Sequence, residues 1–256
     1  MSVRTSTQRQ SQISSSDCPS EILKPTSLQL TSLSQKESTV KLPVDAIYYI
    51  SLQKAALRRH KLVQHLNTLD IRDRHNTPAM WHVANDGNRV KHRIDNSIKR
   101  AHKRPNMSLG EIGCFTSHRE LWQRQVDEGR EFVLILEDDA RFHVSKLRNL
   151  LLNWDAMPHF DFLHLGWEYY AGYKEQTIEK VRVFGLPDLW YGDGMWLTHA
   201  YILSLQGAQI LLQRTEVQNN GLHAMTADIQ SDMEAYGFRP AIAYQERFKT
   251  QIHHTG

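Results

Sequence analysis

Three consecutive carboxylates, Glu137, Asp138 and Asp139, follow directly on the apolar run Phe132-Val133-Leu134-Ile135-Leu136. The pattern predicts a buried strand that delivers acids to its carboxyl end, where ligands sit in open α/β sheets. Adjacent carboxylates repel one another, and the conflict sharpens where water is partly excluded. A hard divalent cation, Mn²⁺ or Mg²⁺, would relieve it through oxygen ligands and could hold a diphosphate on its far side. Strand alternation places Glu137 and Asp139 on one face as metal ligands. It turns Asp138 the other way, toward a sugar or a backbone amide. Taken alone, the triplet reads equally well as a solvated acidic turn.

Other residues have chemistry to offer. Arg58 and Arg59 present planar donors suited to phosphate oxygens, or simply an exposed helix face. His118 is either a packed, hydrogen-bonded core histidine or a support for the acidic site. Cys114 reads as a small buried core residue rather than a nucleophile. Glu168 and Asp193 lie in an aromatic stretch from Glu168 to Trp196 whose irregular spacing suggests an active-site loop region. His253 and His254 could complete a metal shell, although residues so near a terminus are usually mobile.

The elements that must position these groups follow from patterning. Ser108-Leu109-Gly110-Glu111 has the spacing of a capping box, and Gly129 stands where a glycine would end the helix. The unit is therefore helix, turn, buried strand, acids. Upstream, Ile47 to Leu52 predicts a strand, and Leu62, Leu66 and Leu69 recur at helical spacing after it. The segment from Arg72 to Asn106 reads as an irregular excursion or a set of short helices. Val144, Leu147, Leu150 and Leu151 predict an amphipathic helix, and Asp161 to Gly166 a strand. Tyr201 to Leu203 then forms a strand feeding a helix through Leu212. A short helix over about 226–236 and a strand from Ala241 to Tyr244 close the domain. Alternating helices and strands imply an α/β sandwich.

Several segments, in order, resemble glycosyltransferase family 25, which includes bacterial lipooligosaccharide galactosyltransferases and relatives that glycosylate collagen. They are Ser108-Leu109-Gly110-Glu111-Ile112-Gly113-Cys114, Ser117-His118 and Leu136-Glu137-Asp138-Asp139. The opening strand through Ser51-Leu52 with Arg58-Arg59, the turn Ala84-Asn85-Asp86-Gly87, and the run His199 to Ser204 with Gly207-Ala208 agree. The resemblance covers roughly residues 45 to 250. It implies a GT-A type nucleotide-sugar-binding α/β/α sandwich and a UDP-sugar donor, most plausibly UDP-galactose. The acceptor implied is a glycan or a lipid-linked hydroxyl, reached at a membrane surface. It equates Glu137 to Asp139 with the family's metal site and places Ser51, Arg58, Arg59, Asp86, Gly87, His118 and Asp138 around the donor. The family's enzymes invert the transferred centre, which implies a single carboxylate as base. Asp228 stands where the family carries an Asp at the start of a late helix, with Asp193 and Glu168 as competitors.

The bulk numbers fit one substantial domain plus a tail. The chain has 256 residues, 40% hydrophobic and 23% charged, with 31 Lys and Arg against 28 Asp and Glu. The net charge of +3 is too small to imply a nucleic-acid partner. A basic cluster from Arg89 to Arg104 would attract phosphate or an anionic surface, or form a solvated face. Residues 1–42 are rich in Ser, Thr and Gln without apolar periodicity, which predicts a disordered tail before a domain over 43–256. Two cysteines, no apolar run of about 18 residues and no secretory signal lead to an expectation of a cytoplasmic protein, peripheral to a membrane at most. The competing function classes are a metal-dependent phosphoryl or nucleotidyl transferase, a basic module that binds anionic surfaces, and a glycosyltransferase fold without activity.

Overall fold

The computed structural model describes residues 39–90, 108–169, 178–181, 189–192, 195–215 and 232–247. Strands β1 (Val40–Lys41), β2 (Ala46–Ser51), β3 (Ile71–Arg72) and β4 (Met80–Val83) come first, with helices α1 (Ala56–Thr68) and α2 (Gly87–Val90) among them. Next are α3 (Leu109–Asp127), β5 (Phe132–Glu137), β6 (Ala140–Phe142), α4 (Val144–Leu152) and β7 (Phe162–Tyr169). The last elements are β8 (Ile178–Val181), β9 (Leu189–Gly192), β10 (Met195–Ser204), α5 (Leu205–Arg214), β11 (Ala235–Phe238) and β12 (Ala243–Gln245).

Eight of these strands form one mixed sheet in the order β4-β2-β5-β10-β7-β11-β9-β8. β4, β2 and β5 run parallel, and β10 is antiparallel to both β5 and β7. The carboxyl ends of β2, β4, β5 and β7 therefore share one edge. Side chains alternate across the sheet, as the pleat requires. Tyr48, Val133, Ile135, Tyr201 and Leu203 pack on one face with Leu121 and Trp122 of α3 and Leu211 of α5. Ile47, Leu134, Leu136 and Ile202 pack on the other with Leu62 and Leu66 of α1 and Leu147 and Leu150 of α4. The central strands are thus covered on both sides, which is why β5 is a continuous apolar run.

The helix that leads into β5 is punctuated as its sequence predicts. Ser108 Oγ accepts from the Glu111 backbone N–H, and Glu111 Oε2 accepts from the Ser108 N–H at 2.8 Å. At the other end Gly129 takes φ +60°, the left-handed conformation that favours glycine. Its N–H meets Val126 O and that of Arg130 meets Gln125 O, a paired closure of the last turn. The chain leaves this helix aimed directly into β5.

Four expectations need correction. Met80–Val83, within the segment read as irregular or helical, is an edge strand paired parallel to β2. Only one of its faces packs, so its apolar signal is weak, and Trp81 and Val83 remain exposed. Tyr236, expected in a helix, lies in β11 between β7 and β9. Gly237 leaves room there for its surroundings: a Cβ would come within 2.6 Å of Met195 Sδ and Trp167 Nε1, so the backbone lies directly under those side chains. Val40 and Leu42, assigned to the tail, are buried in the core, and β1 pairs with β3. Two alternate apolar residues are too short a run to show a period. The aromatic stretch expected as loop also contributes β8, β9 and the start of β10 to the sheet.

Candidate active site at the carboxyl edge of the sheet

Ser51 ends β2 and Glu137 ends β5 at adjacent positions on this edge. The chain then turns through Asp138 and Asp139 into β6, so strand alternation stops at Glu137. This corrects the expectation that Asp138 and Asp139 diverge. One guanidinium nitrogen of Arg58, from the first turns of α1, contacts Asp138 Oδ1 and lies 2.9 Å from Asp139 Oδ2. Ser51 Oγ donates to the other oxygen of Asp138 at 2.7 Å. Asp139 Oδ1 is buried without a hydrogen-bond partner.

Glu137 faces different company. Thr198 Oγ1 donates to its Oε1 at 2.7 Å, and His118 Nε2 stands 3.6 Å from the same oxygen. His118 Nδ1 lies 2.9 Å from Tyr201 Oη, which also accepts from Trp122 Nε1 at 2.9 Å. Thr198 and His199 reach the edge because β10 is irregular there. Its register shifts between Trp196 and Ala200, and Leu197 takes φ 82°, strained for a side chain with a Cβ. Bulges re-aim side chains in this way beside functional sites. Thr198 carries no sequence signal that marks it as a partner of Glu137.

The protonation states diverge accordingly. Burial pushes Glu137 up, but the neighbouring His118, the Thr198 hydrogen bond and His199 outweigh it and hold the carboxyl at about 2. Burial and the Glu137 charge push Asp139 up to about 7 despite Arg58. Burial also raises Asp138, against the opposing pull of Arg58 and Ser51. Cys114, one turn before His118, is driven well above the ordinary thiol range by burial and the acids Glu137, Asp139 and Glu111. Cys114 is half-buried rather than the fully buried core residue its sequence context suggested.

At the ends of β2 and β4 opens a cleft of ≈ 290 Å³ lined by residues that include Leu52, Lys54, Val83, Asn85, Asp86 and Arg89. Its wall is the Ala84–Gly87 turn, clamped to α3. The Asn85 N–H donates to Ser117 Oγ at 2.8 Å, and Ser117 in turn donates to Gly113 O at 2.6 Å. A Cβ on Gly113 would lie 2.4 Å from Asn85 O, and one on Gly87 1.6 Å from Leu109 O. Both glycines are there for close approach. Asp86 accepts from Lys54 Nζ at 2.8 Å, which holds its carboxyl below the usual range.

The profile described as "Glycosyltransferase family 25 (LPS biosynthesis protein)" matches residues 44–230. The chain belongs to glycosyltransferase family 25. It is 30% identical over 192 residues to a "Glycosyltransferase 25 family member" of Aedes aegypti, covering 70% of this chain and 29% of that protein. It is 36% identical over 115 residues to "Procollagen galactosyltransferase 1" of Danio rerio, covering 44% of this chain and 18% of that one. It is also 31% identical over 183 residues, covering 67% and 29%, to "Inactive glycosyltransferase 25 family member 3" of Mus musculus. The chain thus spans less than a third of the length of these curated relatives.

Within the family 25 frame, the structure brings Ser51, Arg58, Glu137, Asp138, Asp139 and His118 together and sets Asp86 on the cleft at the ends of β2 and β4, with Gly87 packed against Leu109. Arg59 is not among the acids. Its guanidinium donates to Leu52 O at 3.0 Å and lies 3.9 Å over the Trp81 ring, bracing the ends of β2 and β4. Glu168 is exposed near the end of β7. Asp228, Asp193, His253, His254 and the basic cluster beyond Val90 lie outside the described residues, as do residues 1–38. Among the described residues, no helix is long and apolar enough to cross a membrane.

The pair Asp138 and Asp139 fits a hard cation: its donors are all oxygens, one buried oxygen of Asp139 is unpartnered, and mutual repulsion is only partly offset by Arg58. Asp138 and Asp139 are the residues that would hold Mn²⁺ or Mg²⁺, whereas Glu137, expected as a ligand beside Asp139, turns to Thr198 and His118 instead.

Proposed function

We propose that this chain is a metal-dependent, inverting hexosyltransferase that takes a UDP-sugar, most plausibly UDP-galactose, to a hydroxyl on a glycan or lipid-linked acceptor. The observation that carries the reading is the position of Asp138 and Asp139. They sit at the carboxyl edge of the sheet, gathered on one Arg58 nitrogen, with a buried carboxylate oxygen left unbonded. Family membership and the likeness to a procollagen galactosyltransferase support the donor class. A GT-A type arrangement is part of the same proposal, supported by the parallel β4-β2-β5 half of the sheet with helices on both faces.

The roles divide by position. A cation, when bound, neutralises charge building on the diphosphate leaving group. Ser51 and Arg58 hold the Asp138 and Asp139 side chains in a fixed orientation, so little reorganisation is needed when the donor arrives. Arg58 can shift its donors to phosphate oxygens once a cation occupies the acids. Lys54 and Arg89, on the cleft, offer positive charge to the nucleotide. An inverting transfer needs one carboxylate to take the proton of the acceptor hydroxyl, and Asp228 is assigned that role by family position.

Calorimetric titration with UDP, with and without Mn²⁺, tests the donor half directly, and hydrolysis across a panel of UDP-sugars identifies the hexose. Micromolar UDP binding that requires Mn²⁺ and is lost in Asp139→Asn is the expected result. Absence of any nucleotide binding would favour a second reading, an inert family member. That alternative draws on the likeness to the mouse protein named inactive and on the Arg58 ion pairs that already occupy the acids.

A further inference from the structure

Cys114 and His118 are four residues apart on α3, so both project from one face of the helix toward the end of β5. Cys114 Sγ, a ring nitrogen of His118 and a carboxylate oxygen of Glu137 all lie within 4.8 Å of one another. His118 is fully buried, and its Nε2 has no hydrogen-bond partner although it points at Glu137 Oε1, 3.6 Å away. The opposite nitrogen is held by Tyr201 Oη, which Trp122 Nε1 holds in turn. Fixing the far nitrogen of a histidine is how outer-shell groups orient a metal-binding imidazole. From these contacts we infer that Cys114, His118 and Glu137 form a second cation site, for a borderline metal of the Zn²⁺ class, separate from the oxygen-only pair Asp138 and Asp139.

The donor chemistry sets the class. Thiolate and imidazole select Zn²⁺, Co²⁺ or Cd²⁺ over Mn²⁺ and Mg²⁺, which prefer the neighbouring carboxylates. Three protein ligands leave a fourth tetrahedral position for water or an acceptor group. Zinc bonds of about 2.0–2.3 Å set ligand atoms roughly 3.5 Å apart, so closure requires about 1 Å of inward rotation by Cys114 and Glu137. Both can move. Cys114 is only half-buried, and the Glu137 side chain keeps 23% of its surface exposed, which also gives the ion a way in. On binding, the thiol gives up its proton to solvent, and His118 carries its remaining proton on Nδ1, toward Tyr201 Oη. An ion here would neutralise the Glu137 charge that acts on Asp139, so it would alter the neighbouring site.

The inference goes beyond the transfer reading and does not depend on it. The test is Co²⁺ titration of the metal-free full chain carrying Cys18→Ser, which removes the other thiol. A near-ultraviolet thiolate-to-cobalt band with visible absorption of tetrahedral cobalt is expected, bleached by stoichiometric Zn²⁺. Cys114→Ser should abolish the charge-transfer band and weaken Co²⁺ binding at least tenfold. His118→Gln should weaken it similarly, and Asp139→Asn should keep the band. Thermal melts confirm folding, and Cys114→Ser, a near-isosteric change at a half-buried position, is the variant that decides if His118→Gln unfolds. Bound cobalt without a thiolate band, or a band surviving in Cys114→Ser, overturns the assignment. A normal cobalt spectrum without UDP binding would overturn only the transfer reading.

Discussion

Arg58 and Asp139 are joined at 2.9 Å between Nη2 and Oδ2, and the same nitrogen also meets Asp138. A helix arginine thus supplies the positive charge that lets two adjacent buried carboxylates coexist. It does not fully suffice. Asp139 is still pushed up to about 7, because burial and Glu137 together outweigh the guanidinium.

That imbalance has a sign that can be measured. A carboxyl raised from 3.8 to about 7 on folding favours the native state below the lower value and loses that contribution as pH rises through the upper one. Metal-free protein should therefore lose stability between about pH 4 and pH 7, by on the order of 2–4 kcal/mol from this group. Asp139→Asn should flatten the slope and melt higher than wild type at pH 8. Urea denaturation across pH without divalent ions checks it, and an unchanged slope in the variant rejects it.

Glu137 predicts the opposite limb. Its carboxyl is held at about 2 rather than 4.5, so its contribution is present above the higher value and lost as pH falls through the lower. Glu137→Gln keeps an oxygen for Thr198 but loses the charge facing His118 and His199. The variant should be less stable at pH 7, and its loss of stability on acidification from about pH 4.5 should be shallower. Acid titration of near-ultraviolet circular dichroism reads both effects.

Tyr201→Phe removes the hydroxyl shared by Trp122 Nε1 and His118 Nδ1. Two buried ring nitrogens then lack partners, and leaving buried groups unsatisfied costs about 2 kcal/mol or more in total. Chemical denaturation should show that loss without a change in the slope against denaturant. A shift below about 0.5 kcal/mol would mean water replaces the hydroxyl.

Gly87→Ala tests the clamp behind the cleft. The new methyl would lie 1.6 Å from Leu109 O, a backbone atom that cannot rotate aside. Stability should fall by at least about 2 kcal/mol. The turn that lines the cleft should shift, and UDP affinity should fall with it. Ala at Gly129 is a different case: it meets no atoms within 4 Å but is strained at φ +60°. The loss there should be smaller, about 1 kcal/mol, with UDP binding intact.

Asp228→Asn tests the proposed base. Shape and some hydrogen bonding survive while the proton acceptor is lost, so turnover onto the acceptor should drop by roughly 10²-fold or more. UDP and Mn²⁺ binding should be unaffected. Near-normal turnover moves the role to Asp193 or Glu168.

The local chemistry of this protein was written in its sequence. A capping box and a glycine stop bound α3, and an unbroken apolar run makes β5 a strand covered on both faces. Those signals are set by neighbours a few residues apart, and the acids at Glu137 to Asp139 follow from them. Contacts between distant segments were not legible. Arg58 meets Asp138 and Asp139 across 80 positions because α1 packs over the β5 turn. Thr198 reaches Glu137 only because a bulge in β10 rotates it there. The edge strand Met80–Val83 and the burial of Val40 depend on pairing with β2 and β3, and no short period announces that. Sequence settled which groups stand at the end of β5. Tertiary packing decided which of them face one another, because the charge and burial that set a carboxyl's proton come from residues far away along the chain.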